Sequence, residues 1–161
     1  MLKKVFVDRI VAIHREGESR PAIGTGFETE SGDRVRLLIK LKAPAGSRFE
    51  AHYDQMLAAE IISALVLAKL GVKSPRPYLA EVNSQFIPTD HLPNLAERLD
   101  EHPPLAFATN LLHSDGLIDT RDLKRSFVNR FIEQIWWILV GDNVIYNADR
   151  SQDNPNLLAN Q

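Results

Sequence analysis

The chain has 161 residues, 44% of them apolar, a formal charge of −2 and no cysteine. That length and composition suit an ordinary globular core. Disulfides and thiolate chemistry are excluded, and there is no global basic field of the kind that drives binding to phosphate backbones.

Taken in chain order, the first forty residues read as strands. Val5 and Val7, then after a slip Ile10 and Ala12 or Val11 and Ile13, predict a long extended segment ended by the polar run Arg15 to Arg20. A second strand is expected over Pro21 to Thr29, with Ser31-Gly32-Asp33 as a hairpin turn. Next comes the clearest alternation: Val35, Leu37, Ile39 and Leu41 on one face, Arg36, Leu38, Lys40 and Lys42 on the other. A long helix is predicted from about Phe49 to Leu70, with Leu57, Ile61, Ala64, Leu65 and Ala68 on one stripe and Gly71 as its stop. Pro75 and Pro77 begin an extended PYLAEV segment, and Phe86 and Ile87 are candidates for a short strand. Thr89 to Asp100 reads as a short helix with a Thr or Asp cap. Leu105 to Leu112 is apolar enough for a strand or a covering linker. A last helix, from about Arg121 to Asp142, is apolar on most of its faces, with Phe127, Phe131, Ile135, Trp136, Trp137, Ile138, Leu139 and Val140. Strands, one helix, more strands and then helices predict an α+β domain.

That last helix runs into the loop NVIYNADRSQDNPNLL, residues 143–158, which holds Asp149 and Asn154 in the spacing Asp-x-x-x-x-Asn. Protein kinases use this spacing in the catalytic loop: the Asp accepts the proton of the attacking hydroxyl, and the Asn ligates a magnesium ion on the nucleotide phosphates. The competing reading is a surface turn, since Asn, Asp, Ser and Pro are turn formers. Lys40 on its strand and Glu60 in the following helix form a second candidate pair, of the kind that positions nucleotide α- and β-phosphates. Glu60 lies among Leu57, Ala58, Ala59, Ile61 and Ile62, where a carboxylate is costly unless a cation meets it; otherwise both residues are ordinary solvated charges. Gly24 and Gly26 in IGTGF would let a hairpin backbone approach phosphates, but Thr29 stands where a third glycine is needed, and a β-bulge or tight turn explains two glycines equally well.

These segments together resemble HipA-like kinases, in particular the compact HipA-like domain proteins of bacteria. VRLLIKL at 35–41 looks like the family's lysine strand, LAAEIISALVLAKLGVKSPRPYLAEV at 57–82 like its glutamate helix and Pro-containing strand, and NADRSQDNPNLL at 147–158 like its catalytic loop. The resemblance implies a protein-kinase-like fold. Residues 1–112 would form an antiparallel-sheet small lobe with one long helix and the interlobe connection, and residues 113–161 the beginning of a helical large lobe. It implies ATP and Mg2+ as cofactors and phosphorylation of a protein Ser or Thr as parent activity. Lys40, Glu60, Gly24 and Gly26 would serve the nucleotide, Asp149 would be the catalytic base and Asn154 a metal ligand. The family's second metal-binding Asp and the helices after it have no counterpart before Gln161. The likeness is therefore to a kinase truncated after its catalytic loop, inactive or weak in transfer. Without its covering helices, the apolar last helix would bury Phe127, Phe131, Trp136 and Trp137 in a homodimer or against a partner protein. The rival reading is a noncatalytic interaction or oligomerisation module.

Other classes receive less support. The local cluster Arg34, Arg36, Lys40, Lys42 and Arg48 makes nucleic acid a distant third. The five histidines, His14, His52, His91, His102 and His113, show no pairing at metal-ligand spacing, so no zinc site is expected. Asp8 and Arg9 interrupt the N-terminal apolar stretch too soon for a signal peptide, and no other run is long enough to span a bilayer, so a cytoplasmic location is the default expectation.

Overall fold

The computed structural model describes residues 2–13, 21–42, 52–72, 74–89, 92, 95–100 and 102–111, together with helical positions 132, 133, 136, 137 and 140. Strands β1 (Lys3–Ile13), β2 (Ala22–Glu28) and β3 (Arg34–Lys40) are followed by helix α1 (Tyr53–Lys69), strand β4 (Pro77–Glu81), helix α2 (Leu95–Asp100) and strand β5 (Leu105–Asn110). The chain divides into two compact units, Met1–Ile61 with Pro75–Leu111, and Ile62–Ser74 with Leu112–Gln161.

The first unit is a closed barrel in the order β1-β2-β3-β5-β4. Four of its pairings are antiparallel, and the fifth, between β1 and β4, is parallel, with Lys3 to Phe6 facing Tyr78 to Glu81. This overturns the expectation of a protein-kinase-like α+β fold built on an antiparallel-sheet small lobe. The physical reason lies in β1. Its register against β2 slips between Val7 and Arg9 and again between Ile10 and Ala12, and such bulges bend and twist a strand. The first half of β1 thereby gains β4 as a second neighbour instead of presenting a bare edge.

Alternation decides what fills the barrel. Val5, Val7 and Ile10 of β1, Ala22 of β2, Leu37 and Ile39 of β3, Tyr78 and Ala80 of β4, and Ala106 and Ala108 of β5 are all buried in one cluster, joined by Leu41, Val82, Ile87, Leu95 and Leu99. The interior is a packed core of side chains. Ser31-Gly32-Asp33 turns the β2–β3 hairpin as expected: Gly32 has φ 73°, and its N–H donates to the Glu28 carbonyl at 2.8 Å.

At the end of α1, Gly71 takes φ 71°; its N–H donates to the Ala68 carbonyl at 3.2 Å, and that of Val72 to the Leu67 carbonyl at 3.0 Å. That pair of bonds is a left-handed glycine cap, satisfying carbonyls that a helix end would otherwise leave open. One local expectation changes: Ser84–Phe86 forms a single 3-10 turn capped by the Asn83 side chain rather than the start of a strand. Of the two alternatives left open for Leu105 to Leu112, the strand is the one found, with Leu105 to Asn110 lying between β3 and β4. Among the described residues no helix is long and apolar enough to cross a membrane.

Candidate functional site

Lys40 occupies the last position of β3, on the outward face next to Phe107 of β5. The alternation that sends Leu37, Ile39 and Leu41 inward sends Lys40 outward. Its Nζ lies 2.8 Å from Oε1 of Glu60 in α1, with the two side chains 28% and 32% exposed. The structure thus brings these two expected site residues together. An ion pair this open to solvent stabilises a fold by only about 0–1 kcal/mol, yet it leaves the lysine reachable from outside the barrel.

Tyr53, which sequence reasoning did not single out, ties the same corner together. Its hydroxyl lies 3.1 Å from the Lys40 carbonyl, 3.5 Å from the Leu105 carbonyl and 3.2 Å from Nε2 of His102. Its ring meets the His102 ring edge-on at 5.3 Å between centroids. Nδ1 of His102 contacts the Pro103 carbonyl. A carbonyl only accepts, so Nδ1 carries the hydrogen of the neutral ring and Nε2 is left as an acceptor. The single hydroxyl hydrogen of Tyr53 is therefore shared among acceptors. Burial pushes the Tyr53 hydroxyl well above its ordinary range, and burial likewise lowers the pKa of His102, which is neutral at pH 7. Arg98, buried in α2, donates from Nη2 to the Lys42 carbonyl at 2.9 Å and so fixes the chain just beyond Lys40.

Gly24 and Gly26 stand inside β2, buried and facing the barrel interior. A Cβ on Gly24 would lie 2.4 Å from the Arg9 carbonyl oxygen, and one on Gly26 would lie 2.5 Å from that of Phe6. The absence of a side chain is required by the bent β1 backbone, which accounts for both glycines without a phosphate. Asp149 and Asn154 lie outside the described residues. So do Phe127 and Phe131; of the last predicted helix, Ile132, Trp136 and Trp137 are described, and they are 57%, 64% and 38% exposed.

A second charged centre, also missed from sequence, lies at one end of the barrel. Glu28 is the last inward position of β2 and only 3% exposed. It accepts from Lys3 Nζ, from the Tyr78 hydroxyl at 2.8 Å and from Ser31 Oγ at 3.1 Å, with Arg76 Nη1 at 3.5 Å. These donors, Lys3 first and then Tyr78, hold its carboxyl down to about pKa 2. The only sequence signal was the alternation of β2, which sends a carboxylate inward and so demands partners. On the outer face, Arg34 pairs with Asp8 at 3.1 Å and lies over the Phe27 ring at 5.6 Å. Two members of the basic cluster, Arg34 and Lys40, are thus engaged with carboxylates. Among the described residues no group of three or more His, Asp or Glu is placed to hold a metal ion.

Comparison with models of protein families, with curated proteins and with solved structures found no match.

Proposed function

We propose that the chain binds a nucleoside triphosphate, as HipA-like kinases do, with Lys40 on the α- and β-phosphates and Glu60 holding Lys40. The observation that supports this reading is the 2.8 Å pair between an outward strand lysine and a helix carboxylate, both accessible to solvent. A strongly charged amine held in place by a carboxylate is the arrangement that phosphate positioning needs. Function of this kind resides in the site and does not depend on one fold. In this reading Asp149 is the base that receives a protein Ser or Thr proton, and Asn154 ligates Mg2+. The test is a calorimetric titration with ATP, with and without magnesium, on the wild type, Lys40→Met and Asn154→Ala. Binding that weakens in both variants is the expected result; a folded wild type that takes up no ATP at millimolar concentration refutes the reading.

One observation favours the rival, a noncatalytic interaction module. Ile132 and Trp136 are more than half exposed, and large exposed apolar side chains, where they form a patch, mark contacts with a partner or a second copy. Self-association that is tight and indifferent to ATP would select this reading.

A further inference from the structure

We propose that Tyr53 is a positioning residue for the Lys40–Glu60 pair, acting through α1; its functional meaning rests on the reading of that pair as a phosphate clamp. Tyr53 and Glu60 stand two helical turns apart and so share one face of α1. Both reach the same residue of β3. The Tyr53 hydroxyl meets the Lys40 carbonyl at 3.1 Å, and Glu60 Oε1 meets Lys40 Nζ at 2.8 Å. The helix is therefore fastened to Lys40 at two points, one on its backbone and one on its side chain.

Tyr53 is the one buried residue of α1, at 5% exposure. Its hydroxyl ties the first turn of α1 to the end of β3. Moving the first turn of α1 by one ångström carries Glu60 with it, because the helix is stiff over two turns, and an ion pair at 2.8 Å does not survive such a shift unaltered. His102 and the Leu105 carbonyl hold the hydroxyl from the β5 side. The junction thus links β3, α1 and the approach to β5 through one oxygen atom.

The test uses the full chain and reads Lys40 directly. A brief pulse of acetic anhydride followed by mass spectrometry gives the acetylation rate of Lys40 relative to Lys69, which is exposed in the last turn of α1. An amine engaged with a carboxylate reacts slowly. Tyr53→Phe keeps the ring and removes the hydroxyl, and should raise the Lys40-to-Lys69 ratio about three- to tenfold, the span expected for directly coupled residues. Glu60→Gln should raise it at least as much, and the double variant no further than Glu60→Gln alone. A Tyr53→Phe ratio unchanged from wild type, or single effects that multiply in the double variant, overturns the proposal.

One control separates positioning from general loosening. Val82→Ala, which opens a cavity in the barrel, should lower stability and leave the ratio alone; an equal rise there overturns the proposal. His102→Ala removes the ring and the Nε2 acceptor that hold Tyr53 from the β5 side and should raise the ratio in the same direction as Tyr53→Phe; an unchanged ratio in this variant overturns the proposal, and it decides the matter if Tyr53→Phe does not fold. The nucleotide reading is tested in the same samples. Protection of wild-type Lys40 by ATP and magnesium supports it; intact coupling of Tyr53 to Glu60 without any such protection refutes the nucleotide site and leaves the positioning role supported.

Discussion

Replacing Gly24 by Ala should unfold the protein at a much lower urea concentration, because the new Cβ has nowhere to go. It would lie 2.4 Å from the Arg9 carbonyl oxygen and 3.1 Å from Cδ1 of Ile39, where ordinary contact begins at 3.4 Å. The Ile39 methyl can rotate aside, but the oxygen belongs to the backbone of β1. That strand must retreat by about 1 Å at the bulge, which strains the ladder pairs Arg9↔Thr25 and Ile10↔Gly24. Overpacking costs about 1–3 kcal/mol, and one or two weakened ladder hydrogen bonds add about 0.5–1.5 kcal/mol each. The sum is roughly 1.5–6 kcal/mol, and with m near 2 kcal/mol per molar the urea midpoint falls by about 1–3 M. Gly26→Ala, at 2.5 Å from the Phe6 carbonyl and 2.9 Å from Val5 Cγ2, should behave alike. Gly32 is the internal control: its Cβ direction is open and only its φ of +73° resists a side chain. Gly32→Ala should therefore cost about 1 kcal/mol and Gly32→Asn less, since Asn tolerates the left-handed region. If Gly24→Ala falls within about 0.5 kcal/mol of wild type, as a surface substitution would, the close approach of β1 and β2 is refuted.

Acid should destabilise the protein in two stages. Burial lowers the pKa of His102 from 6.5, so the unfolded chain binds the proton more readily and stability declines as pH drops below 6.5. Glu28 is held down to about 2 from 4.5, so its contribution is complete above pH 4.5 and is lost as pH falls toward 2. Urea titrations across pH should show the lower stage vanish in Glu28→Gln and the upper one in His102→Gln; a wild-type stability flat from pH 7 to 3 contradicts both assignments. The exposed Ile132, Trp136 and Trp137 predict association through these side chains, visible as a dimer in sedimentation at micromolar concentration and abolished by Trp136→Glu. A strictly monomeric wild type with both tryptophans quenched by solvent would argue against it.

What was legible in the sequence follows from periodicity. The alternation of Val35, Leu37, Ile39 and Leu41 located β3 and its inner face, and Gly71 marked the end of α1, because both are decided by a few neighbouring residues. Barrel closure was not legible. The parallel pairing of Lys3–Phe6 with Tyr78–Glu81 joins segments some 75 residues apart, and nothing local distinguishes a strand that closes a barrel from one at a sheet edge. Gly24 and Gly26 were ambiguous for the same reason, since the atoms that forbid their side chains come from another strand. Lys40 and Glu60 could be paired on paper because strand and helix are consecutive. Tyr53 could not, as its partners His102 and Leu105 arrive only when β5 is placed between β3 and β4.

The closed barrel also makes the stability and the proposed chemistry separable. Its interior is filled by Val5, Val7, Leu37, Ile39 and Tyr78, so a nucleotide has no room inside and must meet Lys40 from the outward face. Substitutions that face inward should then change folding while leaving the ligand affinity of the folded fraction intact. Lys40→Met should do the reverse. A pair 28% and 32% exposed contributes little to folding, so its urea midpoint should move by no more than about 1 kcal/mol's worth, while ATP affinity falls by the weight of a phosphate contact. Measuring both quantities in Lys40→Met and Gly26→Ala gives a crossed pattern. If Lys40→Met instead loses several kcal/mol of stability, the lysine is a structural element of the barrel wall, and the case for a phosphate site at β3 and α1 fails with it.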